Sequence, residues 1–214
     1  MSKSYFEPGR ELPVFGEYDV VVAGGGTAGM IAGIAAARNG AKTLVIERMG
    51  YLGGQFTGFM NTSWTCSDQL KRCVGGIAYE FFKKIEAAGG VENPNYDKDA
   101  YILYDSETAK YVITEMYEQQ ENLDALYLTM VTKAIMDGNK LSGLIIENKS
   151  GRQVVFAKQF IDCTGDADLL AFSGSHYEEL PVEDYHPASL IAKISNVDTE
   201  KLAAYYNARP ELQK

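Results

Sequence analysis

Residues 19–33 read DVVVAGGGTAGMIAG, and this stretch decides the fold. After Asp19, the next four residues are apolar and mostly β-branched, which predicts a short buried strand over residues 19–23 ending at glycines. Gly24, Gly26 and Gly29 then follow in the spacing GxGxxG, before a helical pattern. In this fingerprint the first glycine makes a tight turn and the second lets a pyrophosphate approach the backbone. The third lets the helix pack close to the strand, and the helix N-terminus favours a bound anion.

The sequence around the fingerprint matches the expected context. The helix pattern stops at the favourable cap Asn39-Gly40, and a second apolar strand over residues 42–46 leads to Glu47. Glu47 follows Gly29 at close to the offset of about 20 residues expected for an acid that binds ribose hydroxyls. A carboxylate there repels a 2′-phosphate, which argues against NADP. The alternative, a glycine-rich turn in an ordinary βαβ unit, is disfavoured by the complete fingerprint.

The composition is that of a globular protein with an acidic surface. The chain has 214 residues, of which 46% are hydrophobic, and 20 basic against 29 acidic residues give a net charge of −9. This charge disfavours nucleic acid and anionic membranes as partners. No run approaches the roughly 18 apolar residues of a membrane span, and residues 1–18 are not a signal peptide. Three cysteines, an odd and sparse set, favour a reduced cytoplasmic location.

The predicted fold class is α/β, a Rossmann-like parallel sheet with an inserted β-meander. We expect an N-terminal arm over residues 1–17, a dinucleotide-binding domain over 18–175, and the beginning of a truncated or split substrate domain over 176–214. The predicted helices cover residues 77–88, a segment capped by Asp105, and 199–207. The predicted strands after the first two cover residues 125–131, 141–147, 152–157, 159–163 and 188–195.

Two further loops follow predicted strands. Arg48 opens a glycine-rich loop in which Gly53 and Gly54 can bring backbone N–H groups near phosphate or ribityl oxygens, although a flexible connection is the alternative. The strand over 159–163 ends in Thr164-Gly165-Asp166, which returns the chain to the carboxyl edge of the sheet, where open α/β sheets bind ligands.

In four of these stretches the chain resembles the bacterial FAD-dependent oxidoreductases built on the glutathione-reductase type of dinucleotide fold. The stretches are residues 19–33, residues 44–47 with the LGGQ of 52–55, residues 105–156, and FIDCTGDAD at 160–168. A plain NAD-dependent dehydrogenase has no reason for the second glycine loop, the meander or the late Thr-Gly-Asp.

The resemblance implies FAD bound in an extended form. The fingerprint glycines would hold the pyrophosphate, Glu47 the adenosine ribose, and the backbone near the strand that ends at Val131 the adenine. Gly54 and Gln55 would approach the pyrophosphate or ribityl chain, and residues 164–166 would close the site. The full set of expected cofactor-binding residues is Gly24, Gly26, Thr27, Ala28, Gly29, Glu47, Arg48, Gly53, Gly54, Gln55, Val131, Thr164, Gly165 and Asp166.

Members of this family usually run well beyond residue 214, with a substrate domain and a final cofactor-binding segment. We therefore expect the sequence to be a fragment, or a second polypeptide to supply the missing half. The catalytic residues are not shared across the family, so the resemblance assigns none, and no metal site is expected.

The remaining reactive side chains give weaker signals. Cys66 and Cys73 are a candidate dithiol pair, but ordinary free cysteines are favoured. Cys163 is expected to be a small core residue, and His176 and His186 to have surface or hydrogen-bonding roles.

Three hypotheses of function result. The first is an FAD-dependent oxidoreductase of a small organic substrate, and the second is an FAD-binding subunit that needs a partner chain. The third is an NAD-dependent dehydrogenase.

Overall fold

A computed structural model describes residues 4, 6–58, 62–64, 71–92, 94–96, 101–185, 188, 190–192 and 194–212. Two compact units are present, Met1–Glu179 and Leu180–Lys214. The strands of the first unit are β1 (Val14–Ala23), β2 (Thr43–Ile46), β3 (Thr62–Trp64), β4 (Val91–Glu92), β5 (Tyr101–Tyr104), β6 (Leu123–Leu126), β7 (Met130–Asp137), β8 (Lys140–Asn148) and β9 (Gly151–Asp162). Its helices are α1 (Thr27–Arg38), α2 (Gln55–Gly58), α3 (Gly76–Ala87), α4 (Ser106–Glu118) and α5 (Asp168–Phe172).

The main sheet has the strand order β6-β2-β1-β9-β8-β7. The first four strands are parallel, whereas β9, β8 and β7 are antiparallel neighbours. The predicted fold class, a Rossmann-like parallel sheet with a β-meander, is confirmed. Because β2, β1 and β9 are parallel neighbours, their carboxyl ends lie together at one end of the sheet. We expect the cofactor site at this end.

The meander is joined to the parallel sheet more directly than we expected. The predicted separate strands at 152–157 and 159–163 are one strand, β9, which pairs with β8 in its first half and with β1 along most of its length. The prediction of two strands was wrong: β9 runs without interruption from Gly151 to Asp162, and Lys158 lies within it with its exposed side chain paired to Asp19. At the start of the sheet, β1 begins at Val14, five residues earlier than predicted, and Val14 pairs with Val154.

The predicted third parallel strand, 125–131, is wrong in its second half. β6 ends at Leu126, and Leu128 adopts a left-handed backbone conformation with φ of 50°. The chain then reverses into β7, where Val131 pairs with Ile146 of β8. Val131 therefore belongs to the meander and not to the end of a parallel strand. The apolar run through this region hid the turn, because leucine rarely takes this conformation.

Alternating side chains of the parallel strands build two cores. Val22 and Val45 pack with α1, α3 and α4 on one face of the sheet. Val21 and Leu44 pack on the other face with side chains of β7, β8, β9 and α5. The helix predictions for α3 and α4 are confirmed, and the Asp105 carboxylate caps α4 by accepting a 2.7 Å hydrogen bond from the Thr108 N–H.

The contact between α1 and α4 explains Gly33. The buried Tyr117 hydroxyl of α4 donates a 2.9 Å hydrogen bond to the Met30 carbonyl of α1. A Cβ on Gly33 would lie 2.7 Å from that hydroxyl oxygen and 2.6 Å from the Cγ2 atom of Val45. Gly33 therefore makes room for Tyr117 as well as for β2, and burial raises the pKa of Tyr117.

The second unit contains the helix α6 (Thr199–Asn207), as predicted, with the Asp198 carboxylate as its N-cap. The strand predicted over 188–195 is wrong, because the described residues in that range form none. Across the described part of the chain, no helix is long and apolar enough to cross a membrane.

Candidate functional site

The fingerprint turn between β1 and α1 requires two of its glycines for packing. Gly24 has φ of 93°, and a Cβ there would overlap the carbonyl oxygen of Cys163 at the end of β9. A Cβ on Gly29 would overlap the Gly24 carbonyl oxygen. These two glycines let the strand, the turn and the helix approach each other, which is the packing that the sequence predicted for them.

Gly26 has no such packing constraint. Its φ of −65° suits any residue, and no heavy atom of a described residue lies within 4 Å of its Cβ position. The space next to Gly26 lies at the N-terminus of α1, whose first turn contains no acidic residue and, within the described chain, no side-chain cap. A helix start of this kind presents N–H groups and a positive dipole end. The fold therefore leaves an open, anion-favouring space where a side chain would intrude.

The second glycine loop lies directly against the first. Gly53 forms a parallel bridge with Gly26, and its N–H donates a 2.8 Å hydrogen bond to the Gly25 carbonyl. The Thr27 hydroxyl donates to the Gly53 carbonyl at 3.1 Å. A Cβ on Gly54 would lie 3.0 Å from the Cα of Gly26. The structure thus brings the two predicted glycine loops into backbone contact beside the open space.

Glu47, at the end of β2, is only 5% exposed. Its Oε2 atom accepts a 2.8 Å hydrogen bond from the Gly25 N–H, and its Oε1 atom accepts one of 2.7 Å from the Met49 N–H. Sequence reasoning missed these two donors. A carboxylate offers about four acceptor positions, so two remain for the ribose hydroxyls that we expect it to bind. The backbone bonds fix the orientation of the carboxylate before any ligand arrives.

A third loop, residues 163–167, follows β9 next to the fingerprint turn. Asp162 pairs with Ala23, and its Oδ1 atom accepts hydrogen bonds from the Thr164 N–H at 3.0 Å and the Thr164 hydroxyl at 2.7 Å. Its Oδ2 atom accepts from the Leu170 N–H at 2.9 Å, while the Thr164 hydroxyl accepts from the Asp168 N–H at 2.8 Å. Asp162 thereby holds the Thr-Gly-Asp loop in place. Sequence reasoning missed this role, although Asp two residues before Thr at a strand end is a turn signal.

The other expected residues divide by position. Thr27, Ala28, Arg48, Gln55, Gly165 and Asp166 are exposed or half-exposed around these three loops. Val131 lies apart, half-buried in β7 with its side chain against the core of the second sheet face. Its predicted place at the end of a parallel strand is therefore corrected, and the cofactor contacts of the whole set stay predictions.

The reactive side chains give little chemistry of their own. Burial, aided by the negative charge of Asp162, raises the pKa of the half-buried Cys163 thiol, so this cysteine is a poor nucleophile. Cys73 and His176 are exposed. Cys66 and His186 lie outside the described residues, so the dithiol hypothesis is not tested. Within the described ranges, His, Cys, Asp and Glu form no cluster suited to a metal ion.

The fold and the three loops define a dinucleotide-binding α/β protein of the Rossmann type. Residues 19–214 match the family described as FAD dependent oxidoreductase, and the chain belongs to this family. The predictions of the family and of FAD as its cofactor are confirmed, and membership decides for FAD over NAD.

Three proteins to which the chain is similar show what share of a longer protein it spans. It is 53% identical over 45 residues to the dihydrolipoyl dehydrogenase of Trypanosoma brucei brucei, which is 21% of this chain and 9% of that protein. THI4 of Thermovibrio ammonificans superposes with a TM-score of 0.52 at 20% identity, covering 73% of this chain and 62% of that one. The p-nitrophenol 4-monooxygenase PnpA of Pseudomonas putida DLL-E4 gives a TM-score of 0.54 at 12% identity, with 74% and 44% covered. The chain thus spans less than two thirds of each relative.

Proposed function

We propose that this chain is the FAD-binding part of an oxidoreductase that transfers a hydride or electrons between bound FAD and a small organic substrate. The observation that carries the proposal is the open space at Gly26, bordered by the N-terminus of α1 and the second glycine loop. A Cβ at Gly26 would enter this space without touching described protein atoms. Packing of the described chain therefore does not require a glycine at this position, whereas a pyrophosphate bound at the N-terminus of α1 would.

The residues have binding and orienting roles in this proposal. The N–H groups at Thr27, Ala28 and Gly29 stabilise the pyrophosphate charge, and the Glu47 carboxylate accepts hydrogen bonds from the ribose hydroxyls. FAD supplies the redox chemistry when bound. The loop over residues 164–166, held by Asp162, closes the side of the site next to β1.

Arg48, Gly53, Gly54 and Gln55 line the opposite side of the proposed site. Gly53 and Gly54 keep the backbone close to the pyrophosphate, because side chains there would meet Thr57 or Gly26. Arg48 and Gln55 are exposed next to the loop and offer cationic and amide groups to the phosphate and ribityl oxygens.

A second candidate is an FAD-binding part that needs another polypeptide for turnover. The chain spans 62% and 44% of the two superposed proteins, a coverage that is compatible with this alternative. The proposed location is cytoplasmic, which suits the three sparse cysteines.

A titration of the purified apoprotein with FAD and, separately, with NAD tests the proposal. We expect one FAD per chain, detected by a change in flavin absorbance and fluorescence, and binding of NAD at least tenfold weaker. Absence of FAD binding would contradict the proposal. Turnover measured with and without added candidate partner chains then separates the two candidates.

A further inference from the structure

An aromatic contact joins the second glycine loop to the small sheet of β3, β5 and β4. Phe56, the second residue of α2, follows this loop directly, and its ring stacks on the ring of Tyr104 in β5. The ring centroids lie 4.2 Å apart and the ring planes differ by 8°. The Tyr104 hydroxyl also donates a 2.7 Å hydrogen bond to the Phe56 carbonyl. Tyr104 thus contacts both the ring and the backbone of a residue next to the proposed pyrophosphate site.

The second glycine loop depends on bonds from other parts of the chain. Gly53 and Gly54 have φ of 101° and 55°, in the region where the glycine backbone has the most freedom. The helix that follows, α2, has only four residues, and the last four carbonyls of a helix have no partner within it. The bonds from Gly53 to Gly25 and from Thr27 to Gly53 hold the start of the loop. The Tyr104 hydroxyl holds its other end, at Phe56.

Tyr104 itself has a fixed position. It pairs with Val91 of β4, and the N–H of the next residue, Asp105, donates a 2.7 Å hydrogen bond to the Gly90 carbonyl. Phe82 of α3 packs edge-on against both stacked rings, with centroid distances of 5.5 and 6.3 Å. Burial raises the pKa of Tyr104, so its hydroxyl keeps the proton that it donates. The donor therefore lies on a rigid support that includes β4 and α3.

We propose that Tyr104 is a positioning residue for FAD, because it holds the second glycine loop in the conformation that the bound cofactor requires. This inference rests on the proposed function, in which Gly53 and Gly54 keep the backbone close to the pyrophosphate. A ligand that binds one loop conformation loses affinity in proportion to the fraction of molecules that adopt it. Tyr104 is 4% exposed and acts through Phe56, by raising this fraction before FAD binds.

Tyr96 gives a matched comparison. It belongs to the same aromatic cluster, with its ring centroid 6.2 Å from that of Phe82, and it is 6% exposed. Its hydroxyl lies 3.3 Å from the Phe82 carbonyl and 3.1 Å from the Glu86 carboxylate, and both of these acceptors belong to α3. Tyr96→Phe therefore removes a tyrosine hydroxyl from the same cluster and leaves the bond between Tyr104 and Phe56 in place.

The test compares Tyr104→Phe and Tyr96→Phe with the unmodified chain. Titration gives the Kd for FAD, and hydrogen–deuterium exchange of the apoprotein gives the protection of residues 52–58. We expect Tyr104→Phe to raise the Kd for FAD about fivefold and to speed exchange over residues 52–58 by a similar factor, because the loop loses one hydrogen bond of ordinary strength. Tyr96→Phe should also lower the Tm, but it should change neither the exchange of residues 52–58 nor the Kd.

Three results would overturn the inference. The first is a Kd for FAD in Tyr104→Phe within twofold of the unmodified value, and the second is a raised Kd without faster exchange over residues 52–58. The third is an equal loss of FAD affinity in Tyr104→Phe and Tyr96→Phe, which would make the effect a general loss of stability. In all three, the unmodified chain still binds FAD. An unmodified chain that binds no FAD would contradict the proposed function itself, so the two failures are distinguishable.

Discussion

At the scale of single residues, Glu47 combines a structural and a binding task. Its two carboxylate oxygens satisfy the backbone N–H groups of Gly25 and Met49 in a buried position, and these bonds join β2 to the fingerprint turn. Removing the carboxylate leaves two donors without this acceptor. The ribose contact and the integrity of the turn are therefore coupled through one side chain.

We predict that Glu47→Ala raises the Kd for FAD by the equivalent of about 1–3 kcal/mol and lowers the free energy of unfolding by about 1–3 kcal/mol. Titration with FAD and urea unfolding of the apoprotein measure the two effects. Glu121→Ala, an exposed glutamate before β6, is the matched control and should change neither. An unchanged FAD affinity in a folded Glu47→Ala protein would give Glu47 a structural role only.

The sequence predicted the roles of the fingerprint glycines correctly, but it did not predict the backbone conformation of Leu128. Gly24 and Gly29 could be predicted because their spacing encodes a turn and a close helix approach, which the structure shows. The left-handed conformation of Leu128 could not be predicted, because nothing in an apolar run reveals that its N–H donates a hydrogen bond to the Met49 carbonyl just after β2.

At the scale of elements, the connection from β9 to α5 depends on Asp162. Three hydrogen bonds to its carboxylate hold Thr164 and Leu170, and they set the path of the Thr-Gly-Asp loop. Cys163, at the start of the loop, packs against the core of the first face, and Leu169 of α5 is buried in the core of the second face. Between these two residues the loop is mostly exposed and is held by polar bonds.

We predict that Asp162→Ala lowers the free energy of unfolding by about 1–2 kcal/mol and weakens FAD binding, because the loop loses its anchor. Asp162→Ala combined with Thr164→Val should show a coupling energy of about 1 kcal/mol in a double-mutant cycle measured by urea unfolding. Asp166→Ala, an exposed residue of the same loop, should leave the unfolding free energy unchanged. Additive effects of the two variants would show that the bond from the Thr164 hydroxyl to the Asp162 carboxylate contributes nothing to the loop.

Element boundaries were predictable where side-chain chemistry marks them. Asp105 and Asp198 are caps whose carboxylates accept bonds from N–H groups in the first turn, and the helices begin where the sequence places them. The predicted break in β9 failed because a single strand pairs with β8 in its first half and with β1 towards its end, so residues 157–159 form no turn. The predicted strand over 188–195 failed because its apolar residues are exposed and have no strand partner among the described residues.

At the scale of the whole molecule, three buried or half-buried tyrosines make the free energy of unfolding depend on pH in alkaline solution. Burial raises the pKa of Tyr104, Tyr117 and Tyr127 above the usual value of about 10. In alkaline solution the folded chain keeps protons that the unfolded chain releases. The resulting stability is fully present below about pH 10 and is lost as the pH rises further.

We predict that the contribution of these tyrosines to the Tm is nearly constant between pH 7 and 9 and falls above about pH 10. Tyr117→Phe removes one titrating group, so the decrease in Tm with rising pH should be shallower. The variant also loses the hydrogen bond to the Met30 carbonyl, which should lower its Tm at neutral pH. Thermal unfolding followed by circular dichroism across this pH range measures both. Tyr111→Phe, a change on the exposed surface of α4, should have the smaller effect on the slope. An unaltered alkaline slope in Tyr117→Phe would mean that Tyr117 ionises equally in both states.

The central claim is that the open space at Gly26 holds the pyrophosphate of FAD, and the FAD affinity of Gly26→Val tests it most directly. Gly75→Val is the matched control, because Gly75 is also a helix N-cap with a negative φ and no described heavy atom near its Cβ position. We predict that Gly26→Val and Gly75→Val fold with similar Tm values, because valine replaces glycine at a helix N-cap in both. Gly26→Val should bind FAD at least 100-fold more weakly, while Gly75→Val binds it normally. A folded Gly26→Val protein with unchanged FAD affinity would contradict the account.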